Sequence, residues 1–139
     1  NPICLAYNDN GILWWLVVDT TDNFSSTSFM KNFESSMGAS SRMVSLAGEK
    51  CSKNSIQRSI TKIRNSFSIH DRLIFLFRGQ ITTPNANNQI HFVLRDDDLI
   101  SGQHINRWLE EVDSTVVLDC ITQNSNLGFK CSFRTTSTM

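Results

Sequence analysis

Three uninterrupted apolar runs constrain the fold more than any other feature of this sequence. The first is "GILWWLVV", residues 11–18, the second is "RLIFLF", residues 72–77, and the third lies within "STVVLDC", residues 114–120. Short apolar runs without alternation are typical of strands that are covered on both faces, as in parallel sheets. They predict the interior strands of one sheet.

Amphipathic stretches separate these runs. Residues 54–67 place Ile56, Ile60, Ile63 and Phe67 along one face of a helix. The other elements are predicted by the same criteria: helices within residues 25–38 and 101–112, a strand within residues 41–48, a short strand or hairpin arm within residues 89–95, and a further strand in the tail at residues 127–133.

The alternation of strands and helices predicts an α/β fold. We expect three layers, with a mostly parallel sheet and helices on both of its faces. A length of 139 residues fits a single domain, residues 1–139.

Composition excludes several classes of function. A formal net charge of +0 without basic clusters argues against nucleic acid as a partner. The longest apolar run is far shorter than the ~20 residues that cross a bilayer, so no membrane association is predicted. Because the stretch after the first strand, "VVDTTDNFSS", contains no glycine, a dinucleotide or P-loop site is disfavoured, and no cofactor is predicted.

The four cysteines also limit the interpretation. Cys4, Cys51, Cys120 and Cys131 form no CxxC pair and no zinc spacing. Reduced thiols are the expected state, which predicts a cytoplasmic or nuclear protein.

In a doubly wound sheet, ligands and catalytic groups gather beyond the carboxyl ends of the strands. Two of the predicted strand ends carry side chains that are candidates for a functional site, one at Gln80 and one at Cys120. The four ends are residues 19–23, 47–50, 78–82 and 119–124.

The end at Gln80 resembles a motif of the caspase and metacaspase clan of cysteine proteases. In that family a strand D-x-L-x-F-x-F runs into Ser-Gly-His-Gly, whose His is the catalytic base. This chain has Arg78 in the Ser position, Gln80 in the His position and Ile81 in the last Gly position. It keeps the scaffold residues Asp71, Leu73, Phe75, Phe77 and Gly79.

The end at Cys120 resembles a second motif of the same family, Asp-x-Cys-His-Ser-Gly. Aligned on Asp119, Cys120 precedes the nucleophile position, and Ile121 fills it. The likeness covers about residues 11–124, the portion similar to the large subunit. We expect the family's smaller second segment to be truncated, supplied by another chain, or replaced by a smaller sheet.

The resemblance implies a site that lacks both the catalytic base and the nucleophile. Attack by sulfur requires a thiolate, which a neighbouring His normally creates. Gln80 has no titratable proton near neutrality, and Ile121 has no nucleophile. We therefore predict a catalytically dead pseudoprotease domain that serves as a protein-interaction, scaffolding or regulatory module. Its expected partner is a protein, such as an active relative or another part of its parent protein.

Two alternatives stay open. The first is an active peptidase of the same clan that uses Cys120 as a displaced nucleophile. Cys120 is expected instead to be a buried core thiol, because His70, His91 and His104 do not follow the third strand. The second alternative is an unrelated flavodoxin-like binding domain, in which the motif likeness is accidental.

Five acidic residues and one arginine are candidate binding groups. In metacaspases the residue matching Asp119 helps to form an acidic pocket for a basic side chain, and Asp19 is its candidate partner. Asp119 alternatively caps a turn. Asp96, Asp97 and Asp98 are weak calcium candidates, and a solvated loop is the alternative. Arg78 is expected to pair with one of these three acids or to fill the cleft.

Overall fold

A computed structural model describes residues 11–21, 31–32, 35, 40–82, 89–95, 98–122 and 130–137. From residue 120 onward the description is of the backbone alone. The predicted helix within residues 25–38 lies mostly outside the described part of the chain.

Seven strands and two α-helices are described over their full length. The described residues Lys31, Asn32 and Ser35 are also helical. The strands are β1 (Leu13–Asp19), β2 (Ser41–Ala47), β3 (Arg72–Ile81), β4 (His91–Val93), β5 (Leu99–Ser101), β6 (Ser114–Thr122) and β7 (Lys130–Ser137). The helices are α1 (Lys53–Asn65) and α2 (Gly102–Trp108), and a single 3-10 turn, Gly48–Lys50, follows β2.

The strands form one mixed sheet. Its centre is parallel in the order β2-β1-β3-β6, and β7 adds antiparallel to the outer side of β6. The short hairpin β4–β5 pairs antiparallel with the last residues of β3, beyond the point where β1 ends. An α/β fold is thus confirmed, whereas the expected parallel pairing holds only for the four strands β2, β1, β3 and β6.

Helix α1 forms where the apolar stripe predicted it. The Ser52 hydroxyl accepts a hydrogen bond from the Ser55 N–H at 3.1 Å and caps the first turn. Ile56, Ile60 and Ile63 are buried against the sheet. Because these side chains repeat at helical spacing, sequence and packing select the same structure.

Helix α2 is shorter than predicted. It ends at Trp108, and the Val112 N–H then donates to the Leu109 carbonyl oxygen at 3.0 Å in a turn that leads into β6. Leu109 and Val112 are nevertheless fully buried. The apolar spacing therefore marked core positions correctly and overestimated the helix by a turn.

The main hydrophobic core lies between the sheet and both described helices. Leu16, Phe75 and Leu118 point from the central strands into the same cluster as the isoleucines of α1. Trp14 packs against this cluster and Trp15 is not part of it, as expected for neighbours on a strand.

The opposite face of the sheet is also buried at Val17, Ile74 and Leu76. Since α1 and α2 contact each other and share one core, both lie on one face, and a third layer stays a prediction. Within the described residues, neither helix has the length and apolar character needed to cross a membrane.

Candidate functional site

The carboxyl ends of β1, β3 and β6 lie side by side. In the register of the sheet, Arg78 of β3 pairs with Asp19 of β1 and with Asp119 of β6. One and two residues further on, Gly79 is paired with Cys120, and Gln80 with Ile121. The topology therefore brings the two ends that carry the sequence motifs together.

Arg78 bridges the two candidate acids. Its Nη1 lies 3.3 Å from Oδ2 of Asp19, and its Nε lies 3.3 Å from Oδ2 of Asp119. The side chains of Arg78, Asp19 and Asp119 are 18%, 3% and 36% exposed. The guanidinium thus fills the space between two carboxylates, one fully buried and one open to solvent on one side. Since the structure does not describe Asp96 and Asp97, the expected pairing with those acids is untested.

Asp19 is held rigidly in this arrangement. Its Oδ1 accepts hydrogen bonds from both the N–H, at 3.0 Å, and the hydroxyl of Thr21. The Sγ of the buried Cys51 donates to the Asp19 carbonyl oxygen at 3.2 Å, or to that of Leu46 at 3.3 Å. The Asp19 carboxylate is therefore oriented by its own turn as well as by Arg78.

Thr20, the residue after β1, is hydrogen-bonded to the end of β3. Its N–H donates to the Arg78 carbonyl oxygen at 2.9 Å, and its hydroxyl lies 3.3 Å from the same oxygen. Gly79 has φ +153°, and a Cβ there would overlap Oγ1 of Thr20. Glycine at this position is what allows the two strand ends to approach so closely.

Sequence reasoning did not assign a role to Thr20, Thr21 or Cys51. A signal for the threonines is present in "DTTD", because an Asp at the end of a buried strand often accepts bonds from residues one or two positions on. No comparable signal marks Cys51, whose position depends on the tertiary packing of β1 against β2.

Gln80 lies between β4 and β6. It is exposed, and its register partners are Val93 on one side and Ile121 on the other. An amide and an aliphatic residue thus stand at the paired positions where the resemblance expects a base and a nucleophile. Neither can carry a proton or attack a carbonyl near neutral pH.

None of the three histidines occupies either of these two positions. His70 is exposed in the turn before β3, at the opposite end of that strand. His91 is adjacent to Thr82, with its N–H donating to the Thr82 hydroxyl at 3.0 Å, on the side of β3 opposite to β6. His104 lies on α2 with its ring edge-on to Trp108 at a centroid distance of 4.7 Å.

The environment of His104 favours its neutral form. Burial lowers the pKa of its imidazole, and the nearby charges of Lys53 and Arg107 lower that pKa further. Its packing on Trp108 gives it a structural contact on α2.

The cysteines differ in how fully the structure describes them. Cys51 is completely buried. Cys120 is placed by its backbone in β6, paired with Gly79 and with Cys131 of β7, so the expectation that its thiol is buried stays a prediction. Cys4 lies outside the described residues.

The calcium hypothesis gains no support from the described residues. Asp96 and Asp97 lie outside them, and the exposed Asp98 accepts a hydrogen bond from the Leu99 N–H at 3.0 Å. Within the part of the chain that the structure describes, His, Cys, Asp and Glu side chains form no group suited to a metal ion.

A broad groove of about 940 Å³ runs along the polar side of α1. Its described lining is amide, hydroxyl and basic apart from Leu46, and includes Ser55, Arg58 and Lys62. Its described lining includes no carboxylate, thiol or imidazole that could activate one of its hydroxyl or amino groups.

Comparisons with known proteins found no match, either among family models or among curated proteins.

Proposed function

We propose that this chain is a non-catalytic, caspase-like module that binds another protein. The observation that carries the proposal is the parallel register of β3 and β6, which pairs Gln80 with Ile121 at adjacent strand ends. Strand ends of this kind are where α/β proteins position reactive groups. Here both positions hold side chains that cannot perform proton transfer or nucleophilic attack.

The ion pairs of Arg78 support the same proposal. A peptidase needs an open cleft in which a substrate side chain can be held beside the nucleophile. In this chain the space between Asp19 and Asp119 already contains a guanidinium group. A binding role that does not require a substrate in this cleft is compatible with that arrangement.

A protein partner is favoured by the edges of the sheet. Among the described strands, β2 pairs only with β1, and its residues Arg42, Ser45 and Ala47 are exposed. An outer strand offers unpaired backbone groups to an added strand from another protein. The partner is proposed to be an active relative or another region of the parent protein.

The proposal is tested with thiol-reactive peptide inhibitors that end in Arg or Asp. After incubation, peptide-level mass spectrometry locates any adduct. We expect Cys120 to react no faster with either peptide reagent than with the same warhead lacking a peptide. A Cys120→Ser variant is expected to retain any partner binding that the unmodified chain shows.

The active-peptidase alternative predicts the reverse. Stoichiometric labelling of Cys120 that depends on the peptide, together with peptide hydrolysis that Cys120→Ser abolishes, would overturn the proposal. The flavodoxin-like alternative would be indicated by flavin absorbance in the purified protein or by thermal stabilisation with flavin mononucleotide.

A further inference from the structure

We propose that Asp19 and Asp119 form a guanidinium-binding site whose occupant is the chain's own Arg78. The biological meaning of this inference rests on the proposed function. It deepens that function because it names a class of ligand, the arginine side chain, that the cleft does not admit. An external arginine side chain is excluded as long as Arg78 remains in place.

The first argument is geometric. A guanidinium group presents its N–H donors in a fixed planar fork, which suits two acceptors at set directions. Arg78 uses Nε for Asp119 and Nη1 for Asp19, two carboxylates that come from different strands. A lysine ammonium is a point charge on a flexible stem and would not reproduce this two-sided contact.

The second argument concerns burial. The Asp19 side chain is only 3% exposed, and a buried carboxylate is costly unless a cation or hydrogen-bond donors compensate it. Thr21 satisfies Oδ1, which leaves Oδ2 directed at Arg78. Removal of the guanidinium would therefore leave a desolvated acceptor that selects a replacement cation.

The third argument is competition. Arg78 is attached to the strand between the two acids, so its effective concentration at the site is far above that of a free ligand. A basic peptide would have to displace it and then satisfy both carboxylates. The intact chain is therefore expected to bind arginine-containing ligands at this edge very weakly.

The test is chemical rescue of Arg78→Ala. This substitution removes a group equal to ethylguanidine, which is therefore the probe. We expect the variant to unfold roughly 5–15 °C below the unmodified chain, because Asp19 loses its cation. Saturating ethylguanidine, at about ten times its Kd, should restore roughly 4 °C. Ethylurea, which has the same shape without the charge, should restore nothing.

Arg72→Ala is the matched control. Arg72 pairs with Asp113 at 3.6 Å, and both side chains are largely solvated, at 39% and 49% exposed. Its loss should lower Tm by at most about 3 °C, and ethylguanidine should not change the Tm of that variant. The double variant Arg78→Ala with Asp19→Asn should also lose the rescue.

The inference is overturned if ethylguanidine gives Arg78→Ala no saturable gain, or the same gain as Arg72→Ala. Should Arg78→Ala fail to fold, Arg78→Met keeps the aliphatic stem, and the probe becomes guanidinium ion at about millimolar concentration. No rise in Tm over matched sodium chloride would then count against the site.

The outcomes also separate this inference from the proposed function. Failed rescue without labelling of Cys120 rejects the guanidinium site alone. Successful rescue with peptide-dependent labelling of Cys120 rejects the non-catalytic role alone.

Discussion

Asp71 connects the start of β1 to the turn before β3 through one buried carboxylate. It accepts hydrogen bonds from the Ile12 N–H at 2.8 Å, from the Trp14 indole N–H at 3.0 Å and from the Ser68 N–H at 3.0 Å. These donors come from the start of β1 and from the turn before β3. Asp71 therefore holds together the amino ends of two central strands, opposite to the candidate site.

The pKa of Asp71 makes this contact sensitive to acid. Burial raises the pKa of its carboxyl, but the hydrogen bonds from Ile12, Trp14 and Ser68, together with the charge of His70, lower it below the ordinary value of 3.8. The charged form therefore stabilises the fold above that value. This stabilisation is lost as the pH falls through the lower pKa of the folded state.

We expect Asp71→Asn to cost about 2–3 kcal/mol at neutral pH, because an amide cannot accept all of these bonds. The variant should also lose less stability than the unmodified chain between about pH 5 and about pH 2. Urea unfolding across this range measures both effects. Asp113→Asn, at a solvated ion pair, is the control and should change stability by less than about 1 kcal/mol. Parallel acid profiles for Asp71→Asn and the unmodified chain would contradict this role.

Replacement of Gly79 and of Gly48 by alanine should destabilise the protein to different extents. Both have positive φ, +153° and +60°, but a Cβ at Gly79 would overlap Thr20, whereas nothing lies within 4 Å of a Cβ at Gly48. Gly79→Ala should therefore cost about 2–4 kcal/mol, through strain and displacement of Thr20. Gly48→Ala should cost only about 1 kcal/mol. Urea midpoints compare the two, and equal losses would show that the close approach of Thr20 is unimportant.

At the scale of elements, the N-cap of α1 offers a clean test of local stability. The Ser52 hydroxyl accepts the Ser55 N–H, whereas the exposed Ser66 follows the last turn and uses its backbone N–H to end the helix. Ser52→Ala should therefore destabilise the protein by about 1 kcal/mol. Ser66→Ala, the matched control, should stay within about 0.5 kcal/mol. Chemical denaturation resolves this difference, and similar values for the two variants would argue against the cap.

The elements also show what sequence patterns can and cannot predict. Helix α1 was predicted to within two residues because its stripe, its cap and its packing agree. The length of α2 was overestimated, since Leu109 and Val112 continue the apolar spacing inside a turn. Residues 89–95 were predicted as a short strand or hairpin arm, and β4 is one arm of the β4–β5 hairpin. The second arm, β5, was not predicted, because strand pairing depends on tertiary contacts that a local pattern does not contain.

At the scale of the molecule, the convergence of three strand ends explains why a sequence can reveal a candidate site. Parallel strands end at a common edge, so this edge was predictable from the strand pattern as the place for a site. The pairing of Asp19 with Asp119 was expected from the resemblance, and the contact of Arg78 with both was not predicted. Their ion pairs were not predictable in detail, because register decides which acid meets the guanidinium. The caspase-like relation is a proposal that rests on the motif resemblance around Gln80 and Ile121.

The most direct test of the proposed non-catalytic site is to introduce the cysteine and the histidine that the resemblance expects at residues 121 and 80. Alkylation rates across pH give the pKa of a thiol introduced by Ile121→Cys, with mass spectrometry to identify the modified position. With Gln80 present, this pKa should be near the ordinary value of about 8.5. With Gln80→His added, it should fall by about one unit or more, because an imidazolium beside the thiol favours the thiolate. Identical rate profiles for the single and double variants would show that these two positions do not form a common site.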